Sequence, residues 1–540
     1  MGLGLIPLLS SHLDTLLVRL SPLIFGSFLC IFVLLPVVRW LRIWKALRPV
    51  PGPWDLIPFW FITSLFIKNR VKGVQVKDVT AWFFGVVREL SDTYKGKTFK
   101  VYMGIKPAVM IHSPEAVETL LSSTDNHGKP FEYSFIKPWL GPRNLLTATG
   151  DLWRVKRKLL TPAFHFRVLE NYMKIFNEDL LIKRIGALLD EAPNEAIPLF
   201  HNVQKCALDI IGQVTMETKF QLQQNKNISF MNAFNRVMFL VSVRAFRPWL
   251  WIQKLYDNTL EGKSYEADVQ EMITLSNSIM HKQKDKLQST EVLPKSGSED
   301  DELNIKRETI LMNILLRRHM QDSSYTLDDV RNDNDTIVSA GTDTITTCMC
   351  FTLHYLGLYP EAQAKAHQEL DEIFGDDTDC EITATHIRQM KYIECCLKES
   401  LRLYPSFPVI GRVLDEDVTM EGHVIPKGVM CFISIYSLHR NPKYFKDPEE
   451  FIPERFLSEE IKTRHPFSYI PFSGGSKNCL GQTFAMLEMK LLLAKILLKC
   501  KIVSAEPLDR LDVAYEVIVK DKRGNRVWVR RRTEVDSAER

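Results

Sequence analysis

Phe472-Ser-Gly-Gly475-Ser-Lys477-Asn-Cys479-Leu-Gly481 sets one cysteine near the end of a glycine-rich loop, directly ahead of a run with helical character. A thiol presented in this way can hold a metal ion as its thiolate. Gly475 and Gly481 let the backbone pass close to a flat macrocycle, since neither has a Cβ to clash. Backbone N–H groups after Cys479 can bond the sulfur and tune the metal, and Phe472 can shield the sulfur from water. A lone cysteine is by default a small buried hydrophobe. The spacing of the two glycines, the cation and the phenylalanine around Cys479 reverses that default.

The segment resembles the haem-binding signature of the cytochrome P-450 enzymes, Phe-x-x-Gly-x-Arg-x-Cys-x-Gly, with Lys477 where the family has arginine. The resemblance implies non-covalent haem b with Cys479 as the axial iron ligand. A thiolate ligand pushes electron density towards bound dioxygen and favours O–O cleavage, which is the chemistry of monooxygenation. Arginine at position 477 would pair a haem propionate; lysine keeps the charge but loses the planar fork, so slightly weaker haem retention is expected.

Length and composition set the frame. The chain has 540 residues, 45% of them apolar, enough for a large core, and a net charge of +4 that is too small to argue for nucleic acid. Its 10 cysteines show no paired spacing of a disulfide scaffold or zinc site, which fits a reducing, cytosol-facing setting. Leu20 to Val38 is free of charge and long enough to read as a membrane anchor. Arg39, Arg42, Lys45 and Arg48 follow it, so the remainder of the chain is expected on the cytosolic side. A cleaved signal peptide is the competing reading, but the basic cluster follows the apolar run and no small-residue cleavage site is evident. Pro49, Pro51, Gly52, Pro53 and Pro58 form a stiff connector. The expected division is residues 1–48 anchor and basic flank, 49–58 connector, 59–540 catalytic domain.

Beyond the connector the chain alternates helix-period segments with a few strand-like runs, at Thr98 to Tyr102, Ala108 to Ile111 and Gly428 to Ile435, with short strands or turns at Val413 to Val418 and Val424 to Ile425. Lys284 to Lys306 lacks apolar periodicity and reads as a mobile surface connection. Thr326-Leu-Asp-Asp329 is a capping box that starts a helix running towards Pro360, on the order of 50 Å long. A further helix is expected from about Thr385 to Leu403, stopped by Pro405. The fold class is mainly α with small β-sheets: by resemblance, the cytochrome P-450 fold, a single catalytic domain behind an N-terminal transmembrane helix.

Within the long helix, Ala340-Gly341-Thr342-Asp343-Thr344 resembles the family's oxygen-binding motif. Glycine inside a helix costs about 1 kcal/mol relative to alanine. Its expected return is space for O2 above the iron. The Thr344 hydroxyl can bond a distal oxygen or water, or merely the carbonyl of Ala340 four residues back. Asp343 can relay protons. Glu399 and Arg402 share a helix face; the resemblance joins them to Arg455 of Pro453-Glu454-Arg455-Phe456 in a buried scaffold triad. It also gives Trp153, Arg157 and Arg412, with Lys477, to the haem propionates. Arg154, Lys156 and Lys158 suggest a docking face for an acidic electron donor.

No dinucleotide, flavin or iron–sulfur motif is visible, so a partner must bring electrons. The resemblance implies NADPH-cytochrome P-450 reductase, with cytochrome b5 as a second donor, at the endoplasmic reticulum membrane. Trp153 to Phe166, Gly411-Arg412 and Cys479-Leu-Gly-Gln482 look most like family 4 of the animal enzymes, many of which hydroxylate fatty acids near the chain end. Some of those carry glutamate just before the helix glycine and ester-link it to haem; Ala340 stands there in this chain. The expected activity is therefore hydroxylation or epoxidation of a lipophilic substrate by O2. Fatty acids lead; other lipids, hormones and foreign hydrophobes stay open. A haem-thiolate isomerase or dehydratase of lipid peroxides, against which Asp343 and Thr344 argue, and a non-enzymatic haem sensor are the alternatives.

Overall fold

The computed structural model describes residues 34–52, 79–94, 96–103, 106–123, 128–164, 172–173, 175–177, 195–291, 310–457 and 459–532. Helices dominate. Six of them position the site: α1 (Gly150–Leu160), α2 (Leu199–Met216), α3 (Ile228–Ala245), α4 (Leu327–Leu358), α5 (Lys391–Leu403) and α6 (Gln482–Lys499). A four-stranded sheet of β1 (Phe99–Met103), β2 (Lys106–Ile111), β3 (Val409–Val413) and β4 (Met430–Ser434) runs in the order β1-β2-β4-β3. Its central pair is parallel, with Val109 opposite Cys431 and Ile111 opposite Ile433, and all four side chains are buried.

The α4 helix is the axis of the domain, about 48 Å long for its 32 residues. Thr326 caps it as the sequence predicts: its hydroxyl accepts from the Asp329 N–H, and the Asp329 carboxylate accepts from the Thr326 N–H in return. α2 packs along it, and α5 and α6 also pack against it. One stretch of α4 departs from any apolar pattern. Asn332, Asp333, Asn334 and Asp335 are all buried. The two aspartates find partners on neighbouring helices and in the turn before α4: Lys156 Nζ donates to Asp333 at 2.6 Å and lies 3.6 Å from Asp329, Tyr325 of that turn donates to Asp333 at 2.7 Å, and Ser276 donates to Asp335 at 2.8 Å.

Several expectations are corrected. The segment expected to be helical from Thr385 to Leu403 is two helices, Ala384–Gln389 and α5, broken at Met390 with ψ 80°. The break has a cause. The Glu369 carboxylate accepts hydrogen bonds from the N–H groups of Lys391, Tyr392 and Ile393 at 2.6–2.9 Å, a charged cap that starts a new helix there. The region expected to be irregular from Lys284 begins inside the helix Leu260–Glu291; its remainder, 292–309, lies outside the described residues. The strand expected from Gly428 to Ile435 is β4 alone, because Gly428 turns at φ +83° and the Ser434 side chain caps a short helix from Ile435.

Most of the Leu20 to Val38 run, together with Pro53 and Pro58, lies outside the described residues. Arg39, Arg42 and Lys45 belong to the helix Leu35–Leu47, whose end is tied down by Lys100 Nζ donating to the carbonyls of Leu47 and Arg48 at 3.2 Å each. Among the described residues no helix is long and apolar enough to cross a membrane.

Candidate active site

A largely apolar cavity of about 540 Å³ lies between α4 and the loop before α6. Ala340, Gly341, Asp343 and Thr344 line it from α4; Phe472, Lys477, Cys479 and Gly481 line it from the loop. The structure thus brings together the two motifs that stand some 140 residues apart in the chain.

The loop is held by its own backbone and by α1. Cys479 N–H donates to the Phe472 carbonyl at 2.9 Å, closing the turn, and Gly481 C=O accepts from Ala485 N–H at 2.8 Å to begin α6. Gly475 sits at φ +67°, and a Cβ there would lie 1.9 Å from the Leu121 carbonyl. Its glycine is demanded by contact with the helix Pro114–Leu121, not only by a macrocycle. At Gly481 a Cβ would meet Phe164 no closer than 3.8 Å, so protein packing alone does not require glycine there. The Cys479 residue is accessible from the cavity and lies close against the surrounding protein. Burial raises its thiol pKa, while a hydrogen bond from the Gly481 backbone and the nearby Arg157 charge oppose the rise. Metal coordination would supply the stronger pull towards thiolate.

Arg157 bonds the loop directly. Its guanidinium donates to the carbonyl and to the side-chain oxygen of Asn478, both at 2.7 Å, which anchors the residue before Cys479. Trp153, one turn earlier on α1, carries the Lys477 ammonium 5.3 Å from its ring centre. Arg412, on the edge strand β3, is 4% exposed and donates to its neighbour's carbonyl, that of Gly411, at 2.9 Å. Lys129 joins this group, and nothing in its local sequence marks it out. Burial lowers its pKa strongly, and the Arg412 and Lys477 charges lower it further; burial and Arg412 bring Lys477 down to about 8. Among the described residues neither Lys129 nor Arg412 has a carboxylate within ion-pair distance. Cations packed this closely in a wall suit a dianionic ligand, and the two propionates of haem b fit them. Cys479 and this collar of Lys129, Arg157, Arg412 and Lys477 are the residues that would hold it.

On the α4 side the geometry revises two readings. A Cβ on Gly341, which lines the cavity, would come within 2.9 Å of Ile211, so the missing side chain also serves the close approach of α2. The Thr344 hydroxyl donates to the Ala340 carbonyl at 2.7 Å, leaving its lone pairs to accept. Asp343 is buried and pushed up to about 6 by desolvation, against the pull of Lys520 and a hydrogen bond from Gln204. Lys156 is also corrected: it is no surface docking residue but a buried cation paired with Asp333, leaving Arg154 and Lys158 exposed on that face of α1.

Behind the loop, Glu399 receives Arg402 Nε and a terminal nitrogen at 2.8 Å each and Arg455 Nε at 3.2 Å. Arg402 also donates to the carbonyls of His439, Pro448 and Glu450, so a fully buried guanidinium ties α5 to the segment before the loop. In the cavity wall Glu132, which sequence reading passed over, is pushed up to about 7 by burial.

The family model for Cytochrome P450 matches residues 68–525. Among curated proteins the chain is 34% identical to Cytochrome P450 4c3 of Drosophila melanogaster, with 93% of each chain covered, and 33% identical to human Cytochrome P450 4V2, with 94% of each covered. Human Cytochrome P450 4F2 is 34% identical over 85% of this chain and 91% of its own. A cysteine loop facing an oxygen-motif helix across an apolar cavity, and a sequence match over most of the chain, lead to one assignment: the chain belongs to the cytochrome P450 family of haem-thiolate monooxygenases and resembles its family-4 members most.

Proposed function

We propose that this enzyme hydroxylates or epoxidises a fatty acid or related lipid, taking electrons from NADPH-cytochrome P-450 reductase at the endoplasmic reticulum membrane. The observation that carries the reading is the apolar cavity that joins Cys479 to Asp343 and Thr344. Its walls include Phe83, Val86, Leu90, Phe246 and Trp251, which can bury an alkyl chain at roughly 25 cal/mol per Å² removed from water. Bound haem b supplies the dioxygen activation, and its electron-rich thiolate ligand favours O–O cleavage.

The chain's own residues do the remainder. Cys479 donates its sulfur, steadied by the Gly481 N–H. Arg157 fixes the loop through Asn478, and Lys129, Arg412 and Lys477 hold carboxylates. Asp343 carries a proton into the cavity, and Thr344, with lone pairs free to accept, orients it. Thr344→Ala is expected to raise peroxide release relative to product. Arg154 and Lys158 belong to the face offered to the reductase, with cytochrome b5 as an additional donor. Ala340 provides no carboxyl for an ester to haem, so the cofactor is extractable into acidic organic solvent.

The test combines two measurements. Carbon monoxide added to the reduced protein is expected to give a thiolate-type spectrum, absent in Cys479→Ser. A panel of lipids incubated with reductase and NADPH, read by mass detection, is expected to show oxygen-bearing products of saturated and unsaturated fatty acids. Turnover of lipid peroxides without NADPH, and no oxygenated product with it, would sink the proposal in favour of an isomerase.

A further inference from the structure

Three helices meet in a closed set of amides beside the proton carrier. Gln204 on α2 is fully buried. Its Nε2 donates to Asp343 Oδ1 on α4 and to Asn235 Oδ1 on α3, both at 2.7 Å, and Asn235 Nδ2 donates back to Gln204 Oε1 at 3.0 Å. Both hydrogens of the Gln204 amide are thereby used. Asp343 Oδ2 takes no hydrogen bond from any described residue, and Asp343 lines the cavity.

We propose that Gln204 is a positioning residue for proton delivery: locked by Asn235, it pins one oxygen of the Asp343 carboxylate against α2 and leaves the other to serve the cavity. The lock has a direction. Turning Gln204 would set its carbonyl against the Asp343 carboxylate whether or not Asn235 turned with it, and against the Asn235 carbonyl if Asn235 did not. A donor is therefore presented to Asp343, and a donor favours the ionised carboxylate. Protonated on Oδ2, Asp343 still accepts that donor on Oδ1, but more weakly than the carboxylate does, so the donor favours release of the proton to the cavity. The other charges acting on Asp343 come from the C-terminal strands: Lys520 attracts, Glu516 repels, and the two pair with each other. From α2, His201 lies one turn before Gln204 and bonds it, and burial lowers its pKa and so disfavours its charged form.

The assignment rests on Asp343 as the proton carrier, and the experiment separates the two. Infrared difference titration of the haem-loaded protein, without reductase, follows the Asp343 carboxyl band, identified by its loss in Asp343→Asn. In Gln204→Leu the midpoint is expected to move to higher pH by about a tenfold change in proton concentration. With reductase and dodecanoic acid as probe, the same variant is expected to divert more NADPH to peroxide. An unshifted band in Gln204→Leu overturns the positioning role while an uncoupled Asp343→Asn keeps the proton reading. Wild-type coupling in Asp343→Asn removes the proton reading, and this assignment with it. If Gln204→Leu fails to load haem, Gln204→Met carries the same readout; failure of both marks a scaffold residue and overturns the assignment.

Discussion

Arg157 shows how one side chain can act on a metal ligand without touching it. Two charged hydrogen bonds to Asn478 fix the backbone beside Cys479, and each bond of that kind is worth about 1.5–3 kcal/mol. Arg157→Leu is expected to speed haem transfer to a scavenger protein at least tenfold, while far-ultraviolet circular dichroism stays unchanged. Arg402 is a harsher case. Truncating it would leave the buried Glu399 with Arg455 as its one cation and the Ile452 N–H as a further donor, at a cost of about 3–5 kcal/mol. Arg402→Ala is expected to lower both haem content and the thermal midpoint; a variant with full haem content would contradict the scaffold role. Cys479 and Arg402 were legible from the sequence because motif spacing marks them. Lys129 and Glu132 were not: their importance comes from burial beside other charges, and burial is a property of the fold rather than of neighbours in the chain.

At the scale of elements, α4 hides most of what its sequence suggests. A run as polar as Asn332 to Asp335 reads as solvated, yet it is buried, and its two aspartates bond two other helices and the turn before α4. Long-range pairing of this kind leaves no periodic trace. Asp335 gives it a measurable signature. Burial lifts its carboxyl from 3.8 to about 7, so between those values the folded chain holds a proton that the unfolded chain has released. The contribution is full below about pH 4 and is lost as pH rises towards 7, with a slope of up to about 1.4 kcal/mol per pH unit. Asp335→Asn is expected to flatten the fall of the thermal midpoint over that range, as followed by circular dichroism. The capping box at Thr326 was legible because it is local; the break at Met390 was not, because its cause is Glu369 on another helix.

Over the whole molecule, the cofactor seat joins segments from four parts of the chain: Lys129, α1, β3 and the loop before α6. The helical class and the pairing of oxygen motif with thiolate loop could be read from sequence, since each motif is contiguous. How α2 approaches α4 through Gly341, and how a cationic collar forms, depend on the assembled architecture. That collar ties cofactor affinity to overall stability, because any ligand that binds only the folded state raises the thermal midpoint. Lys129→Glu is expected to narrow the gap in midpoint between haem-loaded and haem-free protein and to shorten haem residence. Equal gaps in wild type and variant would show that Lys129 does not face the propionates.

The cap that Glu369 places on α5 also decides where the chain can change length. Each residue added to or removed from a helix turns everything beyond it by about 100°. Between Gln389 and Lys391 the backbone is already non-helical, so a residue inserted there would be absorbed by the bend. Between Lys391 and Glu399 the helix start is fixed by three hydrogen bonds, and the same insertion would swing Glu399 and Arg402 away from Arg455. Lengthening is therefore tolerated at one end of a ten-residue window and lethal to folding at the other, a contrast that a scanning-insertion library scored by haem content would display directly.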